Sequence, residues 1–359
     1  MAGRRPVPTS VRASLGKVLG LALAMLPAAT PARACAACGC SLSTDGAMGF
    51  SPHPGFQVTL QTDYIDQDQL RSGTRSASAA QVAALNTPAP GSGQEVEHRT
   101  LNRYTTLGLV YSSGSDWNFR LLVPYVDRDH STYGPASDPL TSDQLSSARV
   151  SGVGDAKVIA GYSGLLPWGN LTLQVGLKLP TGAYGGQNAN GGPVVGHHPV
   201  SFGPDGNSGG MLLDTSLQAG TGSTDLILGA LYHQPLGENV RGFATAQLQT
   251  AVAEKLDQPG SDYRPGNQAN LTLGVRYEDR TDLVPQLQLN YTHKSADQGA
   301  LADAADTAGT TLFLSPGIIG RITAGLQAFA FVQLPVYSNL SGYQLFPRWT
   351  GTLGIAYRF

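Results

Sequence analysis

The chain has 359 residues, with 23 basic against 25 acidic side chains and a formal net charge of −2. Charged residues make up 13% of it, about half the roughly 25% usual in a soluble domain, and the near balance of sign leaves no electrostatic footprint for nucleic acid. The 45 glycines, with abundant Thr, Ser, Gln and Tyr, suit a barrel whose outer surface needs no charge.

Residues 1–34 read as a targeting segment. Arg4, Arg5, Arg12 and Lys17 form a basic stretch, 18–26 is a short apolar core, and Ala32-Arg33-Ala34 offers small residues for cleavage. The apolar run is too short for a spanning helix, which needs about 20 residues. No other long apolar run follows, so a helical membrane protein is excluded. The Arg4-Arg5 pair lacks twin-arginine flanks and the residues before Cys35 make a poor lipobox, so ordinary secretion is expected.

Residues 35–54 are expected to form a periplasmic N-terminal segment. Cys35, Cys38 and Cys40 are all the cysteine in the chain. Three clustered thiolates suit a soft metal, with His53 the nearest fourth ligand. C-x-x-C is also a redox spacing; haem attachment needs a following His, and position 39 is Gly. A disulfide with a spare thiol, formed in an oxidising compartment, is the preferred reading, and the metal or redox role stays open.

From residue 55 onward the chain reads as twelve strands: 56–66, 100–111, 117–127, 154–162, 171–180, 217–232, 240–253, 270–278, 286–292, 311–319, 324–336 and 349–359. Connections alternate. Those after the odd strands are long or polar (67–99, 128–153, 181–216, 254–269, 293–310, 337–348), and those after the even strands are short turns. That is the plan of an outer-membrane barrel with external loops and periplasmic turns. Within 171–179, Leu171, Leu173, Val175, Leu177 and Leu179 alternate with Thr172, Gln174, Gly176 and Lys178, and 271–278 and 286–292 repeat the pattern. A charge on the lipid face at mid-bilayer costs about 2–4 kcal/mol, so Lys178 and Arg276 should face the lumen. In 240–253 and 324–336 both faces are partly apolar and the face assignment is weak. The last strand carries Leu353, Ile355, Tyr357 and Phe359 on one face, which resembles the closing strand of such a barrel.

Other chemistry is sparse. His197-His198 follows a Gly-rich run in the third external loop and is read as a solvated pair. Asp127, Asp129 and His130 lie where the third strand leaves the membrane, as a hydrated or cation-bridging cluster. No spacing singles out a nucleophile and base, so no enzyme is expected.

Several segments together resemble a known family. They are Gly152-Val153-Gly154-Asp155 with Tyr162; Lys178 through Pro180-Thr181-Gly182; Gly220 through Thr224-Asp225 to Gly229; and Tyr263, Pro265 and Gly266 running into Leu271, Gly274 and Tyr277. This looks like the outer-membrane family associated with meta-pathway phenol degradation. The resemblance implies a barrel and passage of small hydrophobic or aromatic molecules, and it supplies no catalytic residues. The cysteine cluster lies outside that pattern.

The expectation is therefore an all-β, transmembrane antiparallel β-barrel of about 12 strands over 55–359, acting in the outer membrane as a channel for small molecules. The alternative is a non-transporting sheath or anchor for a periplasmic redox or metal partner, engaged through the cysteines. Candidate lumen-lining residues are Asp155, Lys157, Lys178, Asp225, Arg276 and Glu278. Expected partners are membrane lipid, a small solute and the barrel-assembly machinery.

Overall fold

A computed structural model of the full chain describes residues 54–86, 94–167, 169–184, 215–279 and 282–359. The expected targeting segment, the three cysteines, His53 and His197-His198 lie outside the described residues.

Thirteen strands form one antiparallel sheet: β1 (Gly55–Gly73), β2 (Arg75–Ser76), β3 (Glu97–Ser112), β4 (Trp117–Thr132), β5 (Ser146–Val153), β6 (Lys157–Tyr162), β7 (Leu171–Lys178), β8 (Thr224–Pro235), β9 (Val240–Ala253), β10 (Gln268–Tyr277), β11 (Leu283–Lys294), β12 (Gly309–Arg321) and β13 (Leu326–Arg358). Eleven of them close a ring through the pairing of β13 with β1, and β2 and β5 lie outside it. A closed ladder leaves no edge to desolvate, which is what a lipid environment demands of β-structure.

Two departures from simple counting explain how eleven ring strands meet the expected twelve. β13 is a folded-back strand: residues 327–340 pair with β12 and residues 340–358 with β1, antiparallel in each case. The reversal passes through Gly342 at φ +52, and Arg358 N donates to Gly325 O at 2.8 Å where the two ends meet again. Near its middle, β4 exchanges partners. Trp117 to Leu122 pair with β6, and Tyr125 to Thr132 pair with β5. β5 and β6 are thus two halves of one passage, and the described residues cross from rim to rim twelve times.

The period-two pattern decides which way each strand faces. Leu173, Val175 and Leu177, Leu271, Leu273 and Val275, and Leu353 and Ile355 stand exposed on the outer surface, with polar or small neighbours turned inward. A continuous exposed apolar surface of this kind fits lipid, not water. Aromatic pairs gird the short-turn rim: Phe56 lies 4.8 Å from Tyr111 and 6.1 Å from Phe359, and Trp117 lies 4.9 Å from Tyr162. Phe56 and Phe359 exchange backbone hydrogen bonds of 3.1 and 3.0 Å, so both ends of the barrel meet on this side. The barrel is that of an outer-membrane protein.

On the long-loop side the outer face changes character. Arg99 pairs with Asp66 at 2.6 Å, Arg103 with Asp127 and Asp129, Arg149 with Asp127, and Arg348 with Asp68. The expected loops 67–99 and 128–153 are therefore corrected. β1 runs to Gly73, β4 to Thr132, and 146–153 is a strand, because pairing continues beyond the apolar belt where outward positions no longer need to be apolar. The strand expected at 217–232 starts only at Thr224, and Leu217 sits instead in a 3-10 turn at Thr215–Leu217. A helix α1 (Ala79–Ala84) also occupies the first loop, held by a capping box in which Ser78 and Gln81 exchange hydrogen bonds of 2.8 and 3.2 Å. α1 contributes Val82 and Ala83 to an apolar cluster with Leu70, Val96, Leu217 and Leu345. This cluster caps the long-loop end.

Candidate functional site in the lumen

Inward-facing side chains enclose a cavity of about 450 Å³. Its lining is two-faced. Strands β9 to β11 present Gln247, Gln249, Asn270, Thr272, Asn290 and Thr292, while β4, β6 and β8 present Leu122, Pro124, Val126, Ile159 and Leu231. The polar wall is largely self-satisfied: Thr272 donates to Asn290 at 2.9 Å, Thr292 to Asn270 at 3.0 Å, and Asn290 to Ser315 at 2.6 Å.

One ionic knot borders the cavity. Lys178 ends β7 and pairs in register with Asp225 near the start of β8. Its ammonium lies 3.1 Å from Asp155 and 3.2 Å from Asp225, and also donates to Ser223 at 3.1 Å and to Thr221. Asp155 sits between β5 and β6, where β4 changes partner, and accepts from Gly182 N, Thr221 N and the Thr221 hydroxyl at 2.9–3.0 Å. Lys157 joins through Gln249, donating to its oxygen at 3.1 Å while the Gln249 amide donates to Asp225 at 2.7 Å. Buried charges persist when paired and fully hydrogen-bonded, and this set meets that condition.

Four of the six expected lumen residues (Asp155, Lys157, Lys178, Asp225) therefore meet in one network and line the cavity. Arg276 and Glu278 are placed elsewhere, at the short-turn rim. Glu278 there pairs with both Arg276 and Arg241, the latter at 3.0 Å. Asp127 and Asp129 face outward to Arg103 and Arg149. His130 turns inward to Thr100 at 2.8 Å and to Glu95 at 3.9 Å. Among the described residues no group of three or more His, Cys, Asp or Glu side chains is arranged to hold a metal ion.

Two glycines of the motifs singled out above pin the loop over this knot. Gly220 N donates to Ala183 O at 3.0 Å, and a Cβ on Gly182 would stand 2.6 Å from Gly220 Cα. Only paired glycines let the two stems pass so closely. Deeper in the mouth, buried Arg128 donates to Ser216 O at 3.2 Å, to Tyr104 and to Asn102. Asn102 continues the chain to Gln67 at 2.8 Å, and Gln67 to Leu345 O at 3.0 Å.

The outer loops are closed by a carboxyl clasp. Asp306 accepts from Tyr343 N at 2.8 Å and from Gln94 at 2.7 Å, and Asp303 accepts from Asp306 N at 3.2 Å. Burial, then the neighbouring Asp306, push the Asp303 carboxyl up to about 8, and burial also raises Asp306. Glu95 adds its like charge to both.

Toward the short-turn side the interior is packed with Phe243, Phe329, Phe331 and Ile319. The rings lie where Gly274, Gly354 and Gly317 of neighbouring strands carry no side chain; a Cβ at any of the three would strike a phenyl ring. This inner seal was invisible in the sequence, where it merely blurred the alternation of 240–253 and 324–336.

No family model and no curated protein matches the chain. Solved structures do. An outer-membrane channel from Pseudomonas putida F1 aligns over 88% of this chain and 99% of its own, at 16% identity and a TM-score of 0.59. The toluene transporter TbuX of Ralstonia pickettii aligns over 88% and 91%, at 10% identity and a TM-score of 0.42. The beta domain of a Bordetella autotransporter aligns over 86% and 100%, at 11% identity and a TM-score of 0.46. The first likeness agrees with the strand pairing: the fold is that of an outer-membrane β-barrel.

Proposed function

We propose that this protein is an outer-membrane channel that passes small molecules through the barrel. The observation that carries the reading is a lipid-faced, closed barrel enclosing a two-faced cavity about 450 Å³ in size, within the range of small-molecule sites. The apolar wall of Leu122, Pro124, Val126, Ile159 and Leu231 supports solutes with a hydrophobic or aromatic part, as does the sequence resemblance. Among the described residues, the cavity is bordered by an apolar cluster toward the long loops and by packed phenyl rings toward the short turns, so passage requires movement of these side chains. Solute uptake by proteoliposomes containing the purified protein tests this. Uptake above that of empty vesicles, unchanged by deletion of residues 35–54, is the expected result. No uptake under any condition would remove the channel reading.

A further inference from the structure

The amide wall does not stop at the cavity. Gln288 and Gln286 continue the inward face of β11 below Asn290, toward the short-turn rim. They are 1% and 5% exposed, yet neither end of either amide has a hydrogen-bond partner in the protein. Their neighbours on the same face are different, since Asn290 and Thr292 are both bonded across strands. Buried amides without partners are costly, so a pair of them on one face calls for an explanation.

Their surroundings supply one. Gln288 pairs with Gly274, over which the Phe243 ring lies, and Gln286 pairs with Gly317, over which the Phe331 ring lies. Two neutral amides, each able to donate and to accept, are thus framed by two phenyl rings between the cavity and the short-turn rim. The nearest cation on β10, Arg276, is already joined to Glu278.

We propose that Gln286 and Gln288, framed by Phe243 and Phe331, form the selectivity filter of the channel, and that it admits small, flat, uncharged molecules bearing an amide or hydroxyl group. The inference rests on the channel reading above and names its substrate class. Ring faces favour flat solutes through offset stacking. Amides with unfilled hydrogen bonds discriminate strongly against solutes that cannot fill them. The cation in register with Gln286, Arg276, is already paired with Glu278, so the desolvation of an ion there goes largely uncompensated.

Three solutes of similar size separate these requirements in proteoliposome uptake: nicotinamide (flat, uncharged, amide-bearing), nicotinate (the same ring, charged) and erythritol (uncharged, no ring). Wild-type protein should take up nicotinamide about tenfold faster than either comparator, because erythritol has no ring to stack and nicotinate must shed the hydration of its charge. Gln286→Leu with Gln288→Leu should lower nicotinamide uptake about tenfold, and Gln288→Met alone should lower it less. Phe331→Ala should speed erythritol and nicotinate until the preference is nearly gone. Heat-modifiable migration verifies that each variant is assembled. A wild-type preference for nicotinate or erythritol overturns the filter without any variant. Uptake whose ratios survive the substitutions overturns it while leaving the channel intact. No uptake of any solute by wild type or by Phe331→Ala overturns the channel and the filter together.

Discussion

Lys178 shows how much one side chain can carry in a barrel interior. Its ammonium separates the carboxylates of Asp155 and Asp225, and all three side chains are buried. Lys178→Met fills similar volume but leaves two carboxylates without their cation. It should cost about 3–5 kcal/mol, the usual penalty for breaking a buried ion pair from one side. Adding Asp155→Asn and Asp225→Asn should recover most of that, as read from the urea midpoint of heat-modifiable migration. A triple variant no more stable than Lys178→Met would mean the charges are not the cause. Asp303 gives a residue-scale prediction of opposite sign from the usual carboxylate. Its pKa in the folded clasp is about 8, against a usual 3.8. The clasp is therefore strongest in acid and loses stability progressively as pH rises from about 4 to about 8. Asp306 and Glu95 face it with like charge and Gln94 faces it as a neutral donor to Asp306. Protease cleavage within 295–308, compared between wild type and Asp303→Asn, should be equal at pH 5 and faster in wild type at pH 9. Taking the ratio cancels the protease's own pH profile.

At the scale of elements, what the sequence made legible depended on where each strand lies relative to the lipid. β7, β10 and β11 alternate cleanly because one face meets hydrocarbon and the other a polar lumen, and their boundaries came within a few residues. β5 went unread because Ser146-Ser147-Ala148-Arg149-Val150-Ser151 lies beyond the apolar belt, where Arg149 faces outward to Asp127. Leu217, at the start of an expected strand, instead fills the apolar cluster at the mouth. α1 did carry a signal, the Ser78-x-x-Gln81 spacing, inside the expected loop 67–99. The loop stems give the element-scale prediction. Gly220→Val would drive a side chain into the Gly182 backbone. The ring ladder does not include either residue, so the barrel should still close and remain heat-modifiable. The overpacked crossing should cost about 1–3 kcal/mol and loosen the Thr221 and Gly182 hydrogen bonds to Asp155. A lowered urea midpoint with normal assembly is the expected result. Failure to assemble at all would show that the crossing forms before the ring closes.

For the whole molecule, the long-short rhythm of connections and the even number of passages were sufficient to recover a closed barrel, because both follow from crossing one slab of lipid repeatedly. The charged half of the lumen was legible for the same reason: a Lys or Asp within an alternating strand has only one tolerable side. The aromatic half was not. Phe243, Phe329 and Phe331 are inward residues that look like lipid-facing ones, and their role emerges only from the glycines that register brings beside them. The division between the two faces can be tested on adjacent positions of a strand whose sequence left it ambiguous. On β9, Leu248 is 57% exposed on the outer surface, and Gln247 lines the cavity. Leu248→Arg places a guanidinium against lipid and should weaken assembly by about 2–4 kcal/mol if it lies at the midplane. Gln247→Arg places the same group among hydrogen-bonding neighbours in a cavity with room for it, and should leave the urea midpoint within about 0.5 kcal/mol of wild type. The two variants have the same net charge and the same new side chain, so composition cannot account for a difference between them. Equal loss at both positions would mean that the interior of β9 is as intolerant of charge as lipid, and the cavity would then be a packed core rather than a passage.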